Sequence, residues 1–392
     1  MIRPAERMQA IPPYFFAELG RRIADLKAQG HDVIRMDMGS PDLPPPAHIV
    51  EALERSAEHP DHHGYAPFGG TASYRQAVAD HYARRFGVQL DPQREVLGLI
   101  GSKEGLFHIT QAFVNPGEVV LVPDPGYPVY ETAARFAGGE VHLLPLLAEN
   151  RFLPDWDSIP PQVLKRTKLL WLNYPNNPTG AVAGLDDFAA AIQLAHQYGF
   201  LVCHDAPYTE VCFDGYWAPS ALQVDGARDV LVEFNSLSKS HNMAGWRLGM
   251  ALGHAGAIDA LYTLKSQVDT SHFRAVMDAG EAALRSDQEW LAERNLIYQQ
   301  RRDEVLAAIR PAGLSASPPQ AALYVWARLP DGVASSLDYS ARMLDQIHVS
   351  VTPGVAFGAQ GEGYVRISLG SPTERVQQAM ERIGGWRYRP AA

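Results

Sequence analysis

Short apolar runs alternate with longer amphipathic stretches through the middle of the chain. The amphipathic stretches, such as residues 73–86 and 185–198, repeat apolar residues at helical spacing. The apolar runs contain five to seven residues and predict buried strands at 96–100, 119–123, 168–173, 200–205 and 229–235. Near-continuous apolar strands separated by helices are typical of a parallel sheet covered on both faces. We therefore predict a large α/β domain with a mostly parallel sheet over residues 46–285.

The pattern changes after a polar-rich stretch at 286–309, which predicts a long connecting helix. Beyond a segment rich in proline and glycine, two alternating apolar runs bracket one helical stretch, and a second helical stretch follows. These strands and helices are predicted at 321–329, 363–370, 339–347 and 372–384. We expect them to form a smaller α+β domain from residues 1–45 and 286–392.

The composition narrows the classes of function. Of 392 residues, 46% are hydrophobic and 20% are charged, which is the mix of an ordinary globular protein. The net charge of −10 disfavours an extended nucleic-acid or membrane surface, although a few cations suffice to bind a small anion. Two cysteines make no disulfide framework, and His59, His62 and His63 lack the ligand spacing of a metal site. Without an apolar segment of signal-peptide or membrane-spanning type, we expect a cytoplasmic protein.

The segment SLSKSHNMAGWRLG (236–249) carries the most chemistry. Lys239 follows an apolar strand in a serine-rich turn, and Arg247 comes eight residues later. A lysine that forms an imine needs a fixed position and a favourable neutral form. Ser236 and Arg247 suit a phosphate dianion, because they offer a hydroxyl group and a guanidinium fork. The plainer alternative is a solvated loop lysine near a structural arginine.

An anion-binding turn is indicated at LIGSKEGLF (99–107), where a strand passes through Gly-Ser into a helix. The free N–H groups and the positive dipole end of such a helix attract anions. Gly101, Ser102 and Lys103 are therefore candidate neighbours of a phosphate. A simple helix entry would have the same pattern.

Polar residues follow several of the predicted strands. Asn177 lies in the turn YPNNPTG, Asp205 and Tyr208 follow the strand at 200–205, and Tyr127 follows the strand at 119–123. Ligands of open α/β sheets gather outside the carboxyl ends of the strands, so these side chains are candidates for one site. The alternatives are a surface turn for Asn177, a helix N-cap for Asp205 and a core position for Tyr127.

Arg366 is the candidate for binding a carboxylate. In GYVRISLG (363–370), alternation places Tyr364, Arg366 and Ser368 on one face of a strand and apolar residues on the other. An arginine flanked by apolar neighbours on a strand commonly binds a carboxylate through two hydrogen bonds. A structural ion pair is the alternative.

Taken in order, these segments resemble the class I and II aminotransferases of pyridoxal-phosphate (PLP) fold type I. The resemblance runs from about residue 33 to 370 and implies the predicted architecture, with PLP as the cofactor. Its most specific part is the succession of NPTG, then Asp-x-x-Tyr, then Ser-x-Ser-Lys with an arginine eight residues on. The matching segments are MGSPDLPPP (38–46), YAPFGGTASYRQAVADHY (65–82), GSKEG (101–105), PGYPVY (125–130), YPNNPTG (174–180), HDAPY (204–208), SLSKSHNMAGWRLG (236–249) and GYVRIS (363–368).

The resemblance implies a role for each candidate residue. Lys239 would hold the cofactor as a Schiff base and then move a proton between the substrate and the cofactor. Asp205 would pair with the protonated pyridine nitrogen and Tyr208 with the ring oxygen, which makes these three the catalytic residues. The cofactor would contact Tyr65, Ser102, Lys103, Tyr127, Asn177, Asp205, Tyr208, Ser236, Lys239 and Arg247. The substrate would contact Tyr14, Gly39, Lys103, Asn177 and Arg366.

The family also implies a partner subunit and a reaction. Its members are homodimers with shared active sites, and Tyr65 resembles the tyrosine that one subunit lends to the phosphate of the other. The loop at 265–273 is expected to cross over as well, with no residue assigned in it. The implied reaction is ping-pong transfer of an amino group between an amino acid and a 2-oxo acid.

Within the family the chain most resembles the LL-diaminopimelate aminotransferase-like branch, through YFFAELGRRI (14–23) and GSKEGLFHI (101–109). LL-diaminopimelate with 2-oxoglutarate is therefore the expected substrate pair. Transamination of alanine, aspartate or N-succinyl-diaminopimelate is an alternative, and so is a PLP-dependent lyase or decarboxylase on the same fold. A PLP-sensing regulator is a remote alternative, because a DNA-binding module has no room before residue 33.

Overall fold

The computed structural model describes residues 2–8, 11 and 14–389. Within them the strands form a seven-stranded, a three-stranded and a two-stranded sheet. The strands are β1 (Ile34–Arg35), β2 (Val96–Leu99), β3 (Val119–Asp124), β4 (Glu140–Pro145), β5 (Thr167–Leu172), β6 (Leu201–Asp205), β7 (Leu231–Ser236), β8 (Gly249–Gly253), β9 (Tyr324–Arg328), β10 (Val349–Ser350), β11 (Thr352–Pro353) and β12 (Tyr364–Ser368).

The α-helices cover both faces of the large sheet and flank the smaller ones. None of those in the described residues combines the length and the apolarity needed to cross a membrane. The helices are α1 (Phe15–Ala28), α2 (Ala47–Ala57), α3 (Ala72–Phe86), α4 (Ser102–Phe113), α5 (Val129–Phe136), α6 (Pro161–Leu164), α7 (Leu185–Tyr198), α8 (Leu237–Ser240), α9 (Ala255–Lys265), α10 (Arg274–Arg285), α11 (Trp290–Ile309), α12 (Ser336–Ile347) and α13 (Thr373–Gly385).

The large sheet has the order β2-β8-β7-β6-β5-β3-β4. Strands β4, β3, β5, β6 and β7 run parallel, whereas β8 is antiparallel to both β7 and β2. This arrangement confirms the predicted α/β architecture with a mostly parallel sheet. All five predicted strands form, because helices cover both faces and every strand position except Lys168 is buried.

The apolar pattern did not predict two strands of the large sheet. Strand β4 lies at the edge and carries exposed residues, so its sequence EVHLLP lacks a continuous apolar run. Strand β8 is fully buried but consists mainly of glycine and alanine. Neither glycine nor alanine has a high strand propensity, so β8 depends on its two neighbouring strands.

The second part of the structure combines both ends of the chain. Strands β11, β12 and β9 form an antiparallel sheet, and β1 pairs with β10 in parallel, so that Ile34 lies opposite Val349. A separate apolar cluster fills this part and includes Val325, Val365 and Ile367, all 0% exposed. The domain limits of 46–285 against 1–45 and 286–392 stay a prediction.

The topology places three loops side by side. Strands β5, β6 and β7 are parallel neighbours, so their carboxyl ends lie at one edge of the sheet. The segments that follow them contain Asn177, Asp205 and Lys239, respectively. Strand β12 approaches the same edge, where Arg366 bonds to Asn177.

Candidate active site

One cavity of about 400 Å³ is lined by residues that follow strands of the large sheet and by residues in or next to β1 and β12. Of the thirteen predicted site residues, all but Tyr65 line it. Tyr65 is 92% exposed and lies outside this lining. The predicted residues in the lining are Tyr14, Gly39, Ser102, Lys103, Tyr127, Asn177, Asp205, Tyr208, Ser236, Lys239, Arg247 and Arg366.

Lys239 is held in α8, directly after the buried strand β7. Its Nζ donates a hydrogen bond to the carbonyl oxygen of Gly39. Burial, together with the positive charges of Arg247 and Arg366 and against the opposing effect of Asp205, lowers the pKa of Lys239 to about 8. The neutral amine that a nucleophilic lysine requires is therefore far more accessible near neutral pH than in an exposed lysine.

Asp205 is the last residue of β6, and only one of its two carboxylate oxygens has a hydrogen-bond partner among the described residues. The Tyr130 hydroxyl donates to Oδ2 at 2.7 Å, whereas Oδ1 is buried without a hydrogen-bond partner among the described residues. Burial raises the pKa of Asp205 to about 6, although the Tyr130 hydrogen bond works against this shift. A buried carboxylate oxygen without a partner is costly, so a donor in the cavity would stabilise it.

A phosphate cup, formed by Gly101 and Arg247, lies at the other end of the cavity, at the N-terminus of α4. Gly101 adopts φ +70°, and a Cβ atom there would lie 2.3 Å from Nη2 of Arg247. The guanidinium of Arg247 also donates to Ser238 Oγ at 3.4 Å. Free helix N–H groups beside a guanidinium make a strong phosphate site. Ser236 lines the cavity too, and its hydroxyl also caps α8 by accepting from Ser238 N at 3.2 Å.

These groups fit PLP without rearrangement. The phosphate cup suits the phosphate, and the open Asp205 Oδ1 suits a protonated ring nitrogen. Lys239 Nζ lies in the same cavity, where it can meet the aldehyde carbon. The phosphate, the ring nitrogen and the aldehyde of PLP therefore each have a matching group in the cavity.

Arg366 is clamped by contacts from both parts of the fold. Its Nη1 donates to Asn177 Oδ1 and its Nη2 to the Asp37 carbonyl oxygen, both at 2.7 Å. The guanidinium also stacks on Tyr324, at 4.2 Å from the ring centre, and on Phe357, at 4.7 Å. Its Nε is buried without a partner among the described residues. A rigid guanidinium with an unused N–H is prepared to bind a carboxylate.

Two tyrosines bring the two sheets together near Gly39. The hydroxyl groups of Tyr208 and Tyr324 lie 2.7 Å apart. A Cβ atom at position 39 would lie 2.6 Å from the Tyr324 hydroxyl, so this approach requires glycine. The backbone of Gly39 thereby stays close to both Lys239 and the cavity.

The N-terminal helix contributes one side of the cavity. Lys103 Nζ lies 4.8 Å from the ring centre of Tyr14 and 5.5 Å from that of Tyr127. Burial lowers the pKa of Lys103, and the charge of Arg247 lowers it further. Lys103 therefore lies close to the aromatic rings of Tyr14 and Tyr127 and near Arg247 of the phosphate cup.

The sequence did not identify several residues of this site, among them Tyr130, Ser238 and Tyr324. Tyr130 bonds Asp205, Ser238 contacts Arg247, and Tyr324 stacks on Arg366. Ser238 is the second serine of Ser-x-Ser-Lys and was recognisable from that motif. Tyr324 lies in a strand whose sequence is typical of plain apolar core, so only the tertiary structure indicates its contact.

Comparison with known proteins gives consistent matches over nearly the whole chain. Residues 31–383 match the family described as aminotransferase class I and II. An LL-diaminopimelate aminotransferase of Desulforudis audaxviator is 50% identical over 97% of both chains. The substrate-bound BacF structure from Bacillus subtilis superposes with a TM-score of 0.95 at 37% identity and covers 98% of both chains. A probable N-succinyldiaminopimelate aminotransferase from Thermus thermophilus has a TM-score of 0.89 at 38% identity and covers 94% of this chain and 99% of its own.

Proposed function

The chain belongs to the class I and II aminotransferases, and on that premise we propose that it transfers an amino group from LL-diaminopimelate to 2-oxoglutarate. PLP-dependent transfer between an amino acid and a 2-oxo acid is the activity of the family. The choice of donor rests on the 50% identity to an LL-diaminopimelate aminotransferase across 97% of both chains.

One observation supports the proposed site above all others. The cavity that contains Lys239 is also lined by Arg366 and Asp205, whose buried Nε and Oδ1 atoms have no hydrogen-bond partner within the described part of the chain. An amine nucleophile, a carboxylate receptor and a partner for a ring nitrogen are the groups that amino-acid chemistry on PLP needs.

We assign the steps of the reaction to residues of this chain. Bound PLP supplies an electron sink for the pair released at the substrate α-carbon. Arg366, with Asn177 and the backbone at Gly39, holds the α-carboxylate and so fixes which bond faces Lys239. Lys239 Nζ then takes the α-proton in its neutral form and returns it on the cofactor side. Asp205, through Oδ1, holds the proton on the ring nitrogen.

Lys239 and Asp205 are suited to these steps at neutral pH. With a pKa of about 8, Lys239 changes between its neutral and protonated forms at little cost. Tyr130 supports Asp205 as a carboxylate, because a hydrogen bond to the charged form favours that form.

We also propose that the protein works as a homodimer with shared sites, in the cytoplasm. Tyr65 is 92% exposed, and other apolar side chains outside the cavity are exposed as well, including Val268 at 61% and Phe273 at 43%. A partner subunit would cover such exposed side chains and receive Tyr65 at its own phosphate cup.

A second candidate donor is N-succinyl-diaminopimelate. It is favoured by the structural match to the Thermus thermophilus protein at 38% identity. In this donor the second amino group is acylated by succinate, so the far end loses one positive charge and gains one carboxylate.

An absorbance titration of the PLP-loaded protein tests the proposal. We expect LL-diaminopimelate, added without a 2-oxo acid, to convert the lysine-bound cofactor to its amine form, and 2-oxoglutarate to reverse the change. N-succinyl-diaminopimelate, glutamate, aspartate and alanine are compared under the same conditions. Lys239→Ala should lack the lysine-bound absorbance, whereas the exposed control Lys27→Ala should keep it.

Each other result decides against the proposal. Preferential conversion by N-succinyl-diaminopimelate would favour the second candidate. A change that no 2-oxo acid reverses would indicate a lyase or decarboxylase.

A further inference from the structure

The cavity contains more charged groups than the cofactor and an α-carboxylate require. Its charged lining within the described residues is Arg35, Asp37, Lys103, Asp205, Lys239, Arg247 and Arg366. The cofactor accounts for Asp205, Lys239 and Arg247, and the α-carboxylate accounts for Arg366. The family resemblance already assigns Lys103 to the cofactor and the substrate, so the ion pair of Arg35 and Asp37 is the part of this lining that remains without a role. The sequence motifs did not point to this pair.

The strand geometry explains why Arg35 and Asp37 face the site. Side chains alternate along an extended segment, so positions 35, 37 and 39 share one face. Gly39 accepts from Lys239, and the carbonyl oxygen of Asp37 accepts from Arg366. A strand rises about 3.3 Å per residue, which puts the Cα atom of Arg35 about 7 Å beyond that of Asp37. Arg35 therefore lies on the same segment as the backbone groups that contact Lys239 and Arg366, at the end farther from Gly39.

The backbone of Arg35 is fixed on both sides. It lies opposite Ser350 in the pairing of β1 with β10, and its carbonyl oxygen accepts from Ser371 Oγ at 2.6 Å. The position of the side chain is therefore set by the fold and not by a mobile loop.

The ion pair uses only part of the Arg35 guanidinium. Its Nε donates to Asp37 Oδ1 at 3.0 Å and its Nη2 donates to Oδ2. Its Nη1 has no hydrogen-bond acceptor among the described residues. The Asp37 side chain is 1% exposed, while that of Arg35 is 30% exposed. Asp37 thus serves to hold Arg35, which lines the cavity with part of its guanidinium unpaired among the described residues.

We propose that Arg35 binds the second carboxylate of a dicarboxylic substrate, at the end remote from the reacting carbon. This inference rests on the proposed function, since LL-diaminopimelate and 2-oxoglutarate both carry such a carboxylate. In a ping-pong reaction the two substrates occupy the same cavity in turn, and LL-diaminopimelate, which is two carbons longer, reaches farther from Arg366 towards Arg35. A guanidinium oriented by a buried carboxylate binds that group with little loss of side-chain freedom.

Binding of two unreactive probes tests Arg35 without measuring transamination. Pimelate and heptanoate are seven-carbon acids with two and one carboxylates, and both compete for the site of the PLP-loaded protein. We expect the wild type to bind pimelate about 10- to 100-fold more tightly, the range for a hydrogen bond between charged groups. The test variant is the double substitution Arg35→Gln with Asp37→Asn, which removes both charges and so leaves no buried unpaired carboxylate.

The variant should lose the preference for pimelate and keep its affinity for heptanoate within about threefold of the wild type. The matched control is Arg22→Gln with Asp345→Asn, which neutralises an exposed Arg–Asp pair and should keep the preference. Should the amide pair fail to fold, Arg35→Met with Asp37→Leu replaces the ion pair by apolar residues and gives the same comparison.

Three results would overturn the inference. These are a wild type without the preference, a variant that retains it, and an equal loss of affinity for both acids, which would mean a purely structural role. The proposed donor is tested separately. If LL-diaminopimelate fails to form the amine while the pimelate preference depends on Arg35, the donor is wrong and the role of Arg35 stands.

Discussion

At the residue scale, the chemistry depends on how the fold treats two ionisable side chains. Burial works against the charged form of both Lys239 and Asp205, and it moves their pKa values towards neutrality from opposite sides, to about 8 and about 6. The positive charges of Arg247 and Arg366 add to the effect on Lys239. The same arginines are the proposed receptors for the anionic ends of the cofactor and the substrate, so the groups that would hold the ligands also lower the pKa of the nucleophile.

The lowered pKa of Lys239 predicts how fast the cofactor-free protein attaches PLP. The neutral amine is the nucleophile, so the attachment rate should rise with pH and reach half of its maximum near pH 8. Stopped-flow absorbance between pH 7 and 10 measures this rate. An ordinary exposed lysine has a pKa of about 10.4, and a midpoint close to that value would show that the site does not activate Lys239.

At the scale of single elements, the phosphate cup depends on the turn between β2 and α4. Gly101 combines φ +70° with a close approach to the Arg247 guanidinium, and Arg247 itself has φ +59°. A non-glycine residue in this left-handed region costs about 1–2 kcal/mol. The backbone is therefore strained at Arg247, in the phosphate cup, and such strain is common at functional sites.

Substitution of Gly101 by alanine should weaken PLP binding. The new Cβ atom would lie 2.3 Å from Arg247 Nη2 and force the guanidinium away from the cup. We expect the Kd for PLP to rise by about 10- to 100-fold, the effect of losing one charged hydrogen bond. Fluorescence titration of the cofactor-free protein gives the Kd.

Gly87→Ala is the matched control for Gly101→Ala. Gly87 has φ +71° at the C-terminus of α3, and a Cβ atom added there would meet nothing within 4 Å among the described residues. The substitution should lose about 1–2 kcal/mol of stability to left-handed backbone strain and leave the Kd unchanged, whereas Gly101, with ψ 157°, lies in a region that is essentially restricted to glycine. Equal effects of both substitutions on the Kd would mean that strain, and not contact with Arg247, explains the result.

The elements also show which features of the site the sequence can predict. Asn177, Asp205 and Lys239 lie in turns at the carboxyl ends of apolar strands, and both the strands and the turns are local patterns. Contacts between distant segments have no local pattern. In PGYPVY the sequence indicated Tyr127, which lines the cavity, as a cofactor contact. It did not indicate Tyr130, whose hydroxyl donates to Asp205, because this contact depends on how α5 packs against the sheet. The ion pair of Arg35 and Asp37 was missed because β1 has only two residues.

At the scale of the whole molecule, the described chain contains twelve of the thirteen predicted site residues in one cavity, and Tyr65 lies elsewhere. The fold class followed from the alternation of strands and helices, which is a property of long stretches of sequence. The pairing of β1 with β10 did not follow from any pattern, because it joins segments from opposite ends of the chain. A subunit interface is likewise a property that one chain does not display.

The proposed shared site predicts an effect at Tyr65, although this residue lies outside the cavity of its own subunit. Tyr65→Phe should raise the Kd for PLP by about tenfold, because one hydrogen bond to the phosphate in the partner subunit is lost. Tyr198→Phe, on the surface helix α7, should leave the Kd unchanged. Sedimentation should give twice the chain mass of 43.1 kDa. A monomer that binds PLP normally, or a Tyr65 variant without effect, would contradict the shared site.

The clamp on Arg366 also has a consequence for the order in which the protein matures. Arg366 bonds to Asn177, 189 residues earlier, and to Asp37, 329 residues earlier. A ribosome makes the chain from its N-terminus, so the phosphate cup and Lys239 emerge well before Arg366. A nascent chain that ends before Arg366 contains the residues proposed to hold PLP but lacks the guanidinium proposed to bind an α-carboxylate. The group proposed to bind the α-carboxylate is therefore added to the chain only after the residues proposed to hold the cofactor, when β12 is synthesised.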